Sequence, residues 1–99
     1  DLMVATWVEH GYSAERSGNN VWVKSRNFDP VKPTILLDAH LDTVRPNGNW
    51  EKDPFTAVVE DGKLYGLGSN DTGGSVVAMM AAFLQLAEKK QAYNLVCLE

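Results

Sequence analysis

Cysteine is almost missing from these 99 residues: Cys97 stands alone, so the chain forms no internal disulfide and no cage of thiolates for a structural metal. Long apolar runs are missing too. The longest, Val76 to Leu84, is nine residues, where a membrane-spanning helix needs roughly 20. Basic residues are short in supply, nine Lys and Arg against thirteen Asp and Glu, for a formal charge of −4. A nucleic-acid partner or an anionic membrane calls for clustered Lys and Arg, and neither is expected here. No basic leader with an apolar core opens the chain, so no targeting segment is read from it. A cytoplasmic setting is the expectation that these absences leave. What is present is ordinary for a folded domain, 44% apolar and 22% charged residues, which excludes disorder and collagen-like repeats.

The apolar pattern sorts into alternating helices and strands. Leu2, Met3, Val4, Trp7 and Val8 recur at helical spacing, Asp1 stands where a cap belongs, and Gly11 follows as a C-terminal stop. Tyr12 to Arg16 and Val21 to Lys24 read as short strands around Ser17-Gly18-Asn19-Asn20. Thr34 to Ala39 has the profile of a strand buried on both faces. Asp61-Gly62, between Val59 and Leu64, predicts a hairpin over 58 to 64. A glycine-rich loop from Gly66 to Gly74 leads into a helix over roughly 74 to 89, apolar almost all round and expected to pack on more than one side. Leu95 to Leu98 then reads as a second buried strand. Strand, helix and strand form a βαβ unit with parallel pairing, and the fold class is α/β with a mixed sheet. The chain starts without Met and stops inside a strand, so residues 1–99 are read as a fragment of something longer.

In open α/β sheets, ligands gather beyond the carboxyl ends of strands. His40 leaves the first buried strand, and Asp42 follows two positions on, on the same side of extended chain. A carboxylate there can fix the imidazole tautomer and free the other ring nitrogen for a metal. Asp71 lies at the second strand-to-helix junction, where the helix end favours the ionised carboxylate. Plainer readings exist: a surface histidine, a turn residue at Asp42, a helix cap at Asp71, and turn glycines at Gly62, Gly66 and Gly68. A nucleotide-binding reading rests on Gly66-Leu67-Gly68, but Asp71 occupies the third glycine position of that fingerprint and would repel a pyrophosphate.

The stretches Leu37-Asp38-Ala39-His40-Leu41-Asp42-Thr43-Val44, Trp50, Asp53-Pro54-Phe55, Asp61 to Gly68 and Asn70-Asp71 together resemble the dinuclear zinc aminoacylase and carboxypeptidase family, whose members include acetylornithine deacetylase and succinyl-diaminopimelate desuccinylase. Gly68-Ser69-Asn70-Asp71 looks most like the acetylornithine deacetylase branch. The resemblance implies a zinc-exopeptidase-like fold, incomplete at its C-terminus, and two zinc ions, with cobalt or manganese as substitutes. It implies that His40 ligates one zinc, that Asp71 bridges both, and that Asp42 is the catalytic-site aspartate orienting His40. It also implies a cis peptide at Asp71–Thr72. The substrate implied is an N-acyl amino acid or small peptide, and the complete protein is implied to be a homodimer. Leu67 and Thr72-Gly73 depart from the commonest family pattern, at positions where Arg and Met-Lys are frequent. The family's general-base glutamate is expected beyond Glu99, which is itself a poor stand-in, so the chain alone is expected to be inactive. The alternative outside enzymes is a non-catalytic association module.

Overall fold

A computed structural model describes residues 2–99. Helix α1 spans Leu2–Glu9 and α2 Gly74–Ala87; the strands are β1 (Glu15–Ser17), β2 (Asn20–Lys24), β3 (Thr34–Asp38), β4 (Val58–Glu60), β5 (Lys63–Tyr65) and β6 (Asn94–Leu98). Asp1, expected to cap α1, lies outside the described residues. One sheet runs in the order β1-β2-β6-β3, and β4 pairs with β5 separately. β2 pairs antiparallel with β6, whereas β3 and β6 are parallel, with Leu36 opposite Val96 and Leu37 opposite Cys97. The mixed α/β architecture and the parallel pair joined through α2 match the sequence expectation.

The core lies between this sheet and the two helices. Trp7, Tyr12 and Phe83 meet edge to face, with ring centroids 5.3–6.0 Å apart, the geometry that aromatic quadrupoles favour. Val21 and Val23 of β2 and Leu95 and Cys97 of β6 close the same cluster. Buried Asn94 anchors the start of β6: its amide donates to the Asp29 carbonyl at 2.7 Å and its side-chain oxygen accepts the Asp29 N–H at 2.9 Å. The hairpin forms where expected. Asp61 and Gly62 both take positive φ, 49° and 72°, which suits a two-residue turn joining twisted strands.

Two expectations fail, for one reason. β3 is an edge strand, and Leu36 is 54% exposed; its apolar run does not mean burial on both faces here. Helix α2 is covered on one side only: Val76 and Phe83 are buried, while Val77 is 68% exposed. Met80 and Leu84 of the same helix pack against the core. A four-stranded sheet buries one face of the helix and leaves its opposite side, and the far face of β3, without a neighbour among the described residues.

Candidate metal centre

The site is assembled from two loops at one end of the sheet. His40 follows the carboxyl end of β3, and the chain is held there by the Ala39 N–H donating to the Leu98 carbonyl of β6 at 3.2 Å. Asp71 lies in the irregular turn Ser69–Gly73 that precedes α2, and the Asp71–Thr72 peptide is cis. The cap position of α2 is Gly73, with no side-chain hydrogen bond. Asp71 is therefore not a helix cap, and its carboxylate is turned elsewhere.

It faces His40. The Nε2 atom of His40 lies 3.2 Å from Asp71 Oδ1. On the opposite edge of the ring, Nδ1 lies 3.1 Å from the Asp42 main-chain carbonyl and 3.4 Å from Asp42 Oδ1. A carbonyl oxygen only accepts, so Nδ1 carries the proton in this arrangement. Asp42 therefore orients the ring through its backbone as well as through its carboxylate. In the neutral imidazole that leaves Nε2 as a lone pair opposite the Asp71 oxygen, a pair of donors that a cation between them would satisfy. Two atoms bound tetrahedrally to one zinc at about 2.0–2.2 Å are about 3.3–3.5 Å apart, close to the separation observed. The donor pair thus suits a cation in kind and in spacing, but it is not a complete set. No group of three or more His, Cys, Asp or Glu side chains converges on one point among the described residues.

These side chains line a cavity of about 360 Å³ together with Thr43, Trp50 and Gly68. The site is open: the Asp71 side chain is 86% exposed and that of His40 53%. Gly68 has φ +78°, and a Cβ there would stand 2.4 Å from the Thr43 methyl, so only glycine lets the two loops approach this closely. A brace lies behind it. The Asp53 carboxylate accepts the Phe55 N–H at 2.9 Å and the Thr56 hydroxyl at 2.8 Å. These bonds hold its carboxyl below the usual range. The Pro54 carbonyl of this turn accepts the Leu67 N–H at 2.8 Å. The contributions of Thr43 and of the Asp53 turn are not readable from residue spacing; both depend on a contact between distant segments. Glu99 is absent from the cavity. Its carboxylate is buried in the core, accepting the Trp7 Nε1–H at 2.7 Å.

With this geometry in view, residues 36–98 match the model of peptidase family M20/M25/M40. The chain belongs to this family. It is 42% identical over 60 residues to a succinyl-diaminopimelate desuccinylase of Helicobacter pylori, covering 60% of this chain and 16% of that protein. To the enzyme of the same name from Blochmanniella floridana it is 36% identical over 74 residues, 72% of this chain and 19% of the relative. The crystal structure of human carnosine dipeptidase 1 superposes with a TM-score of 0.69 at 26% identity, covering 98% of this chain and 24% of that one. The chain thus spans about a sixth to a fifth of the length of these curated relatives. It carries the M20/M25/M40 fold at the elements that frame the cavity, which accords with the expected zinc-exopeptidase-like architecture.

Proposed function

We propose that residues 1–99 are part of the catalytic domain of a metal-dependent M20/M25/M40 amidohydrolase, in which His40 and Asp71 are metal ligands and Asp42 orients His40. The substrate in this reading is an N-acyl amino acid, with an acetyl or succinyl acyl group, or a small peptide. The observation that carries it is the pairing of the His40 Nε2 atom with a carboxylate oxygen of Asp71 3.2 Å away, in the lining of a cavity.

The residues divide the work. Asp42 fixes the tautomer, so that Nε2 presents its lone pair to a cation. Asp71, with two carboxylate oxygens, can hold one cation with each. Zinc ions bound there would supply Lewis acidity and acidify a water for attack on the acyl carbon. Cobalt or manganese would suit the same mixed nitrogen and oxygen donors. Trp50 and Thr43 line the same cavity. A catalytic zinc ordinarily has three protein ligands; this chain offers two, so the remaining ligands and the proton-abstracting group come from further sequence, and the 99 residues alone do not turn over substrate. The reading includes a homodimeric complete protein in the cytoplasm.

The test compares the protein extended to the length of its relatives with its His40→Ala and Asp71→Ala variants. Equilibrium dialysis against zinc and hydrolysis of N-acetyl and N-succinyl amino acids are the measurements. The expected outcome is loss of bound zinc and of turnover in both variants, with a melting temperature close to that of the parent. Unchanged zinc uptake and turnover would assign the chain a purely structural role.

A further inference from the structure

A second cavity lies at the other end of the sheet. It has a volume of about 680 Å³ and is framed by the residues after β2, those before β3 and β6, and the segment after α2. That size falls within the range that holds a small metabolite. Its lining includes Arg26, Lys32, Lys89 and Lys90, against one carboxylate, Glu88. Four of the nine basic residues of an acidic chain thus share one concavity. Walls of one sign focus the field into a cleft and attract ions of the opposite sign.

Among the described residues the cations there have no anionic partner. Lys32 Nζ donates to the Gln91 carbonyl at 3.1 Å, a contact that leaves its charge in place. Arg26 lies over the Tyr12 ring, 4.9 Å from its centroid, with a long contact of 3.4 Å to the Gly11 carbonyl. Lys89 and Lys90 form no ion pair among the described residues, whereas Lys24 pairs with Glu15 and Lys52 with Glu60. The nearby Asp29 carboxylate accepts the Val31 N–H at 3.0 Å, which likewise leaves its charge in place, but it is not part of the cleft lining. At the C-terminal end of α2 the Leu86 carbonyl accepts the Lys89 N–H and the Gln91 side-chain amide, each at 3.2 Å, so that carbonyl is served without a lysine ammonium group.

We infer that this cleft is a binding site for a small anion carrying two or more negative charges, a phosphorylated or polycarboxylate metabolite, separate from the His40–Asp71 site. The inference stands whether or not that site binds metal.

Calorimetric titration of the full chain with pyrophosphate, and separately with citrate, tests it in low salt on protein freed of metal by prior dialysis. Saturable binding is expected with Kd below about 1 mM, weakening about tenfold in K89Q/K90Q and again as salt is raised from about 0.05 to 0.5 M. Lys32→Met provides a second, independent variant with the same expected direction. Saturation by pyrophosphate alone identifies phosphoryl recognition, by citrate alone carboxylate recognition, and by both a site that reads charge. No saturation with either anion by about 10 mM would overturn the inference. So would equal affinity in K89Q/K90Q and Lys32→Met, or binding abolished by His40→Ala.

Discussion

Trp7 and Glu99 are 92 positions apart, and the 2.7 Å bond between them joins the first helix to the end of β6 inside the core. It satisfies one carboxylate oxygen; Glu99 Oε2 is buried with no partner. Burial pushes the Glu99 carboxyl up, against the opposing pull of the Trp7 bond. Burial also pushes the neighbouring Cys97 thiol to about 12, with the Glu99 charge adding to the effect. A carboxyl raised in the fold is most favourable to stability at low pH, and that contribution is lost as pH climbs through the raised value. Glu99→Gln should therefore be more stable than the parent at neutral pH by about 1 kcal/mol, with the gap closing below about pH 4; denaturant melts at several pH values check this. Gly68→Ala should cost about 1–3 kcal/mol and displace the Asp71 turn, because φ +78° and the Thr43 methyl both oppose a side chain. Its readouts are the melting temperature and zinc uptake.

At the scale of elements, the exposed side of α2 and the free edge of β3 govern behaviour in solution. An unpaired edge with Leu36 uncovered, beside a helix with Val77 uncovered, presents main-chain donors and apolar surface together. The 99-residue chain should self-associate at concentrations of about 0.1 mM, with Leu36→Lys and Val77→Lys each shifting light scattering toward the monomer mass. The elements themselves were legible beforehand. Apolar spacing placed α1, and Asp61-Gly62 placed the β4–β5 turn because two successive residues had to accept positive φ. The burial of β3 was misread because an apolar strand looks the same at a sheet's centre and at an edge awaiting a neighbour. The apolar circumference of α2 misleads for the same reason.

At the scale of the whole molecule, two loops at one end of the sheet bring His40 and Asp71 together. It spans 16% of the Helicobacter relative's length and 24% of the carnosine dipeptidase chain, yet 98% of it superposes on the latter. Zinc should bind these 99 residues at least about tenfold more weakly than a chain of the relatives' length, since each missing ligand removes a bond that folding would otherwise preorganise. Competition with a fluorescent zinc chelator measures the difference. His40 and Asp42 were recognisable as a pair because their spacing places both on one side of extended chain. Asp71 stood out by its position before a helix, though position alone did not separate a ligand from a cap. The conformation of the Ser69–Gly73 turn, with Gly73 as the cap of α2, excludes the cap.

Local chemistry in the sequence determined the helices, the hairpin turn, the α/β class and the identity of the three polar residues that meet at the cavity, because these depend on neighbours a few positions away. Tertiary structure alone decided that β6, not β3, is central, that Glu99 is turned into the core, and that Thr43 requires glycine at position 68. The gathering of four basic side chains from three separate segments into one cleft was likewise decided there. Each of these is a contact between residues far apart in the chain, and its energy depends on a distance that no residue type or local spacing encodes.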